Sequence, residues 1–118
     1  MSGNRLPDYL EHIRAAAEDA LVFVADMDKA AFVADRRTQR AVIMSLIIIG
    51  EAATRLMDGY AAFVREHPQI PWQSMRNMRN RMAHGYFDIN LDIVWDTVQL
   101  WLPQLLMQLA AVDVAQNG

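Results

Sequence analysis

The sequence predicts an all-α fold, an up-and-down bundle of four to five helices, and three observations carry that prediction. Apolar residues recur at three- and four-residue intervals along most of the chain. No stretch alternates regularly as a half-buried strand would. Residues that start and stop helices fall between the periodic segments. With 118 residues, 53% hydrophobic and 21% charged, the chain has the composition of a packed helical protein organised as one domain over 1–118.

Leu10, Ile13, Ala17, Leu21 and Val24 lie on one face of a first helix from about Asp8 to Asp26. A turn at Asp26-Met27-Asp28 follows, and Asp28 is placed to cap a short helix, Lys29 to Ala34. Asp35 can cap a long second main helix from Arg36 to about Asp58, with Gly59 as its stop. Between Ala41 and Ala53 this helix is apolar nearly all round, so it is expected at the centre of the fold or of a subunit interface. Tyr60 to Glu66 reads as a short helix ended by Pro68, and Pro71 suits the first position of a third main helix running to about His84. Gly85 is expected to end that helix in a left-handed conformation. Asp88 or Asn90 can cap a fourth, carrying Ile93, Val94, Val98, Leu102, Leu105, Leu106 and Leu109, which Pro103 should kink. Four main helices with short connections make the bundle, and residues 1–7 and 115–118 are expected to fray.

There are no cysteines, which removes disulfides, thiolate catalysis and cysteine-based zinc sites, and makes the cytoplasm the simplest location. Met1 to Asp8 shows no secretory signal, and the longest apolar run, Ala41 to Ile49, falls far short of the roughly 20 residues of a membrane span. The net charge of −3 argues against nucleic-acid binding through the overall field, so any such binding must be local. Basic charge is concentrated in Arg36, Arg37 and Arg40 and again in Arg76, Arg79 and Arg81. Of the 11 basic residues all but Lys29 are Arg, a bias that suits bidentate contacts to phosphate or carboxylate. For the first group, arginines paired with acids on a solvated face stand as the equal alternative.

Chemistry-bearing residues crowd into Arg79-Asn80-Arg81-Met82-Ala83-His84-Gly85-Tyr86. Arg holds phosphate oxygens through its fork of donors, and His exchanges protons near neutral pH. On a helix, Arg76, Asn80 and His84 follow one another at four-residue steps, while Arg79 lies about 140° around from His84. Arg79 and His84 therefore need a ligand between them or a second subunit to cooperate. The bland alternative is that His84 and Tyr86 form a helix stop while Arg79 and Arg81 pair with acids such as Glu51 or Asp88. Taken together, however, Arg-x4-His-x-Tyr rarely arises by chance when each type is used at a few per cent.

In this segment the chain resembles a known family. Arg79-Asn80-x3-His84-x-Tyr86 is similar to the Arg-x4-His-x-Tyr signature of the HepT-like toxins, a branch of the HEPN superfamily of helical RNases and nucleotide-associated domains. The resemblance extends through Ile49-Gly50-Glu51-Ala52-Ala53, Ile70-Pro71-Trp72-x2-Met75-Arg76, Phe87-Asp88-Ile89-Asn90 and Ile93-Val94-Trp95, and so spans Asp8 to Leu109. It implies a helical bundle, homodimers that bring two motifs to a shared cleft, and metal-independent RNA cleavage with Arg79 and His84 catalytic. It also implies an MntA-like nucleotidyltransferase antitoxin that transfers AMP to Tyr86.

The residues suit that chemistry on their own terms. Cleaving RNA by attack of its own 2′-OH needs a base, an acid and positive charge; one His cannot be both acid and base in one step, whereas two across a dimer axis can. Asn80 could orient the imidazole or the phosphate, or merely cap carbonyls. Tyr86 could equally be a packed aromatic. Glu51, a charge in the apolar second helix, must pair with a motif Arg or sit at a polar interface. The eight Met residues are expected in the core, and His12 and His67 show no ligand spacing. No metal or cofactor is expected. An RNase toxin acting on tRNA or mRNA is thus the leading expectation; the competitors are a helical adaptor that docks a nucleotidyltransferase and nucleotide phosphates, and a purely structural dimer.

Overall fold

A computed structural model describes residues 4–117, with side chains as far as Val112. Every regular element among these residues is helical. They are α1 (Leu6–Phe23), α2 (Lys29–Val33), α3 (Arg36–Gly59), α4 (Ala61–Glu66), α5 (Trp72–His84), α6 (Leu91–Asp96) and α7 (Leu102–Asn117). A 3-10 turn, Tyr86–Asp88, joins α5 to α6, and a π turn, Thr97–Trp101, joins α6 to α7.

The long helix α3 is central and packs most heavily on α1 and α5. Its buried Val42, Leu46, Ile49, Ala53 and Leu56 follow the 3.6-residue period. Ile13, Ala17 and Ala20 of α1 are buried against it, and the alanines keep that face thin. The Tyr60 hydroxyl accepts from the Arg5 backbone N–H at 2.8 Å, and Tyr60 meets Tyr9 edge-on. The start of α1 therefore lies beside the end of α3, and the two helices run antiparallel. On the other side, Trp72 fixes the start of α5: it is buried and donates through Nε1 to the His67 carbonyl at 3.0 Å. Far from the C-terminal end of α3, Phe32 of α2 is fully buried, its ring 5.4 Å from that of Trp95. The Lys29–Asp92 ion pair at 3.0 Å joins the same two elements.

Caps follow the sequence. Asp28 accepts from Ala31 N–H at 2.8 Å, and Asn90, not Asp88, caps α6 by accepting from Asp92 and Ile93. The Asp35 carboxylate accepts from the Thr38 N–H and hydroxyl at 3.1 and 2.8 Å, and these bonds hold its carboxyl below the usual range. A lowered folded-state pKa means that the stabilisation is present above the unfolded value of about 3.9 and is lost as pH falls through the folded one. Asp35→Asn keeps an acceptor but removes the titration. Its melting temperature is expected to fall less than the wild type's below about pH 4, as followed by circular dichroism; equal falls would assign the acid loss to other groups.

Several boundaries differ from expectation, each for a local reason. α1 runs Leu6–Phe23 and not Asp8 to Asp26. Pro7 is accommodated in its first turn, where no N–H is needed, and a hydrogen-bonded turn around Val24 closes its end. Gly85 is not left-handed: its φ is −103°, because the chain passes directly into the 3-10 turn. Gly59 is the last residue of α3 and Tyr60 takes the cap. Pro71 precedes α5 and does not open it. Pro103 lacks an N–H and its ring would strike the carbonyl four residues back; the π turn just before it takes up the misfit, the Leu102 N–H reaching five residues back to Thr97. Leu6, Pro7 and residues 115–117, expected to fray, are helical, while residues 1–3 and 118 lie outside the described residues.

Candidate active site

The site is built where α5 lies along the C-terminal half of α3. Gly50 makes that approach possible: a Cβ there would lie 2.2 Å from Arg79 Cβ and 2.5 Å from the Met75 carbonyl oxygen. Once the helices are this close, polar positions on the two helices face each other. Arg79 Nη1 donates to Glu51 Oε1 at 2.7 Å. One turn earlier, Arg76 Nη2 donates to Asp58 Oδ1 at 2.7 Å and its Nε reaches Thr54 Oγ1 at 3.5 Å. Glu51 also accepts from Arg55 at 3.0 Å.

Glu51 is thus the partner of a motif arginine, one of the two roles the sequence left open. Its carboxylate is 44% exposed, and ion pairs of this kind contribute about 0.2–1 kcal/mol. Burying a single aromatic side chain contributes about 1.5–3 kcal/mol. The pair's main effect is therefore to hold the Arg79 guanidinium in one orientation. Only part of the fork is used: Arg79 Nε is buried and makes no hydrogen bond among the described residues. Half of the bland alternative is realised here, since Arg79 does pair with Glu51; Arg81 makes no ion pair among the described residues.

The other motif residues face elsewhere. Arg76 turns to α3, whereas Asn80 and His84 are exposed and make no hydrogen bond among the described residues. His84, at the last position of α5, makes no bond to Arg79, in keeping with their separation around the helix. Gly85 lets the chain leave α5 tightly, a Cβ there standing 3.0 Å from the Arg81 carbonyl. Tyr86 follows in the 3-10 turn, 43% exposed, its ring meeting Phe87 edge-on at 5.8 Å. Tyr86 is therefore partly exposed and partly packed against its neighbour. It also lines a groove with Arg36 and Arg40. Among the described residues, no group of three or more His, Cys, Asp and Glu gathers as a metal site would, and no helix is long and apolar enough to cross a membrane.

A family model described as Ribonuclease HepT-like matches residues 13–112, a span that holds α3, α5 and the whole motif. The chain belongs to the HepT-like ribonuclease family. It is 40% identical over 98 residues to a protein of Thermococcus cleftensis named as a ribonuclease HepT, covering 83% of this chain and 86% of that one. It is also 41% identical over 93 residues to a protein of Methanocaldococcus jannaschii named as an RNase, covering 79% and 71%. A third relative named as an RNase, from Caldanaerobacter subterraneus, is 35% identical over 104 residues, covering 88% and 90%. No solved structure matches. In this HepT-like chain, residues 79–86 lie within the matched span, at the junction of α5 with the 3-10 turn.

Two features of the site were not legible as such. Gly50 was visible only as a glycine inside a helix, where it costs about 0.5–1 kcal/mol against Ala, a mark of close backbone approach. Phe87, 96% exposed, entered the sequence reading only as part of the segment Phe87-Asp88-Ile89-Asn90, with no role of its own.

Proposed function

We propose that this HepT-like chain is the toxin of a toxin–antitoxin pair, a metal-independent endoribonuclease whose active site is shared between two copies. The observation that carries the reading is that α5 holds Arg79 against Glu51 on one side and presents an exposed His84 on another. Arg79 and His84 make no bond to each other and lie about 140° apart around the helix, and two chains meeting over their α5 ends supply two of each. In the reaction, the 2′-oxygen of a ribose attacks the adjacent phosphorus and the bond to the 5′-oxygen breaks. A neutral His84 takes the 2′-OH proton, and the protonated His84 of the second copy gives one to the departing 5′-oxygen. The products are a 2′,3′-cyclic phosphate and a 5′-hydroxyl. Arg79 stabilises the charge on the non-bridging oxygens, and Glu51 and Arg76 keep α5 and its guanidinium in place.

Tyr86 is the residue through which an MntA-like nucleotidyltransferase would silence the enzyme. Its phenol oxygen attacks the α-phosphorus of a nucleoside triphosphate, losing its proton as pyrophosphate leaves, and the attached AMP places a bulky anion beside the site. The exposure of the Tyr86 ring suits a group that a second enzyme must reach.

The test is to incubate the purified chain with cellular RNA in the presence of EDTA and to sequence the ends. Cleavage leaving 2′,3′-cyclic phosphates is expected, and it should stop after treatment with the nucleotidyltransferase and ATP, but only while Tyr86 is present. A folded, dimeric chain that cleaves nothing would overturn the nuclease reading in favour of the helical adaptor.

A further inference from the structure

The first arginine group has no role in the site so far, and the structure places it beside the motif. A groove of about 450 Å³ is lined by Arg36, Gln39 and Arg40 from the first turns of α3 and by Tyr86, Phe87 and Ile89 from the turn after α5. Its volume lies within the range of sites that hold small molecules, about 300–1,000 Å³. Arg36 and Arg40 are exposed and make no ion pair among the described residues, in contrast with Arg37, which lies near Asp35. Gln39 is committed, donating to the Phe32 and Val33 carbonyls at 2.8 and 2.9 Å, and this anchors the wall between the two arginines.

Arg36 and Arg40 stand where they weaken the helix. Like charges four residues apart repel, and cations at a helix N-terminus oppose its dipole. Two unneutralised guanidiniums on a chain of net charge −3 form a local anion site. On the same groove, the Phe87 ring is 96% exposed, and an aromatic ring presented to solvent beside arginines is the arrangement on which single-stranded nucleic acids stack and neutralise their phosphates.

We propose that this groove is a nucleotide subsite for the RNA strand, in which Arg36 and Arg40 hold a backbone phosphate next to the scissile one and Phe87 stacks on its base. The proposal rests on the ribonuclease reading and deepens it. Strand and catalytic residues then meet at Tyr86, which belongs both to the groove and to the motif.

The test measures binding and not cleavage, in a His84→Ala background, using fluorescence anisotropy of a labelled mixed-sequence single-stranded oligoribonucleotide across a range of salt concentrations. Arg36→Ala with Arg40→Ala is expected to weaken binding at least tenfold at low salt. It should also flatten the dependence of log affinity on log salt by about 0.7 for each phosphate no longer neutralised. Phe87→Ala should weaken binding roughly fivefold to a hundredfold with the slope unchanged. Removing these exposed arginines should not lower the melting temperature, which separates the result from misfolding. A background protein that binds RNA equally well with and without Arg36, Arg40 and Phe87 would overturn the subsite alone. One that binds no RNA at all would overturn the nuclease reading and the subsite with it. Strand affinity unchanged by the substitutions, while AMP alone shifts the Phe87 ring signals in NMR, would assign the groove to a mononucleotide and overturn its role as a strand subsite.

Discussion

His84→Ala is expected to yield a protein as stable as the wild type that no longer cleaves RNA, with kcat/KM down by about 10²–10⁴ or more. Stability should be spared because His84 is exposed, sits at the last position of α5 and makes no hydrogen bond among the described residues. Surface substitutions of that kind usually stay within about 0.5 kcal/mol. Activity should collapse because, in the two-copy site proposed above, one substitution removes base and acid together. Mixing provides a sharper form of the experiment. Heterodimers of His84→Ala and Arg79→Ala chains retain one intact His84 and one intact Arg79, and are expected to recover no more than a small part of the activity, since the acid–base pair is still broken. Full activity in a folded His84→Ala protein would remove His84 from the chemistry.

Gly50→Ala carries the second large effect, and there fold and site change together. An added methyl 2.2 Å from Arg79 Cβ and 2.5 Å from the Met75 carbonyl meets a side-chain stem and backbone, neither of which can swing away, so α5 must move off α3. Overpacking of this kind costs about 1–3 kcal/mol, which outweighs the roughly 0.5–1 kcal/mol that Ala gains over Gly inside a helix. The displaced group is Arg79, to which the proposed mechanism gives the phosphate oxygens, and a misplacement of about 1 Å can cost a hundredfold in rate. Lower thermal stability and a larger proportional loss of kcat/KM are therefore expected together. Gly59→Ala is the control: nothing lies within 4 Å of its added Cβ, so it should be neutral or slightly stabilising. A Gly50→Ala protein that matches wild type in both measurements would show that the helices can separate without consequence.

How far the sequence could be read depended on the range of the forces involved. Helix existence was legible because periodicity and caps are local: Asp28, Asp35 and Asn90 all cap as their positions suggested. Boundaries at Phe23 and around Gly85 were not, because turns between helices answer to what the next element packs on. The irregularity expected in the fourth helix at Pro103 takes the form of a π turn, Thr97–Trp101, just before it, a detail that the proline alone did not specify. In the candidate site, residue types and spacing pointed to Arg79, His84 and Tyr86, whose roles belong to the proposal, while the cost of an isolated charge in an apolar helix pointed to the pairing of Glu51 that the structure shows. The groove that joins Arg40 to Phe87 could not be read, since it depends on the tertiary meeting of α3 with a turn far along the chain.

The paired bridges between α3 and α5 also govern how the protein can move. In antiparallel helices, sliding α5 one turn in one direction would bring Arg79 opposite Arg55, and in the other opposite Ile47, replacing attraction with repulsion or with a stranded charge. One-turn ratcheting of about 5.4 Å is a known way for packed elements to switch state, and here both steps lead uphill. The ion pairs thus favour the observed register over its one-turn neighbours. Under the function proposed above, control would then fall to what arrives from outside: another chain, a strand of nucleic acid, or a group attached at the tip.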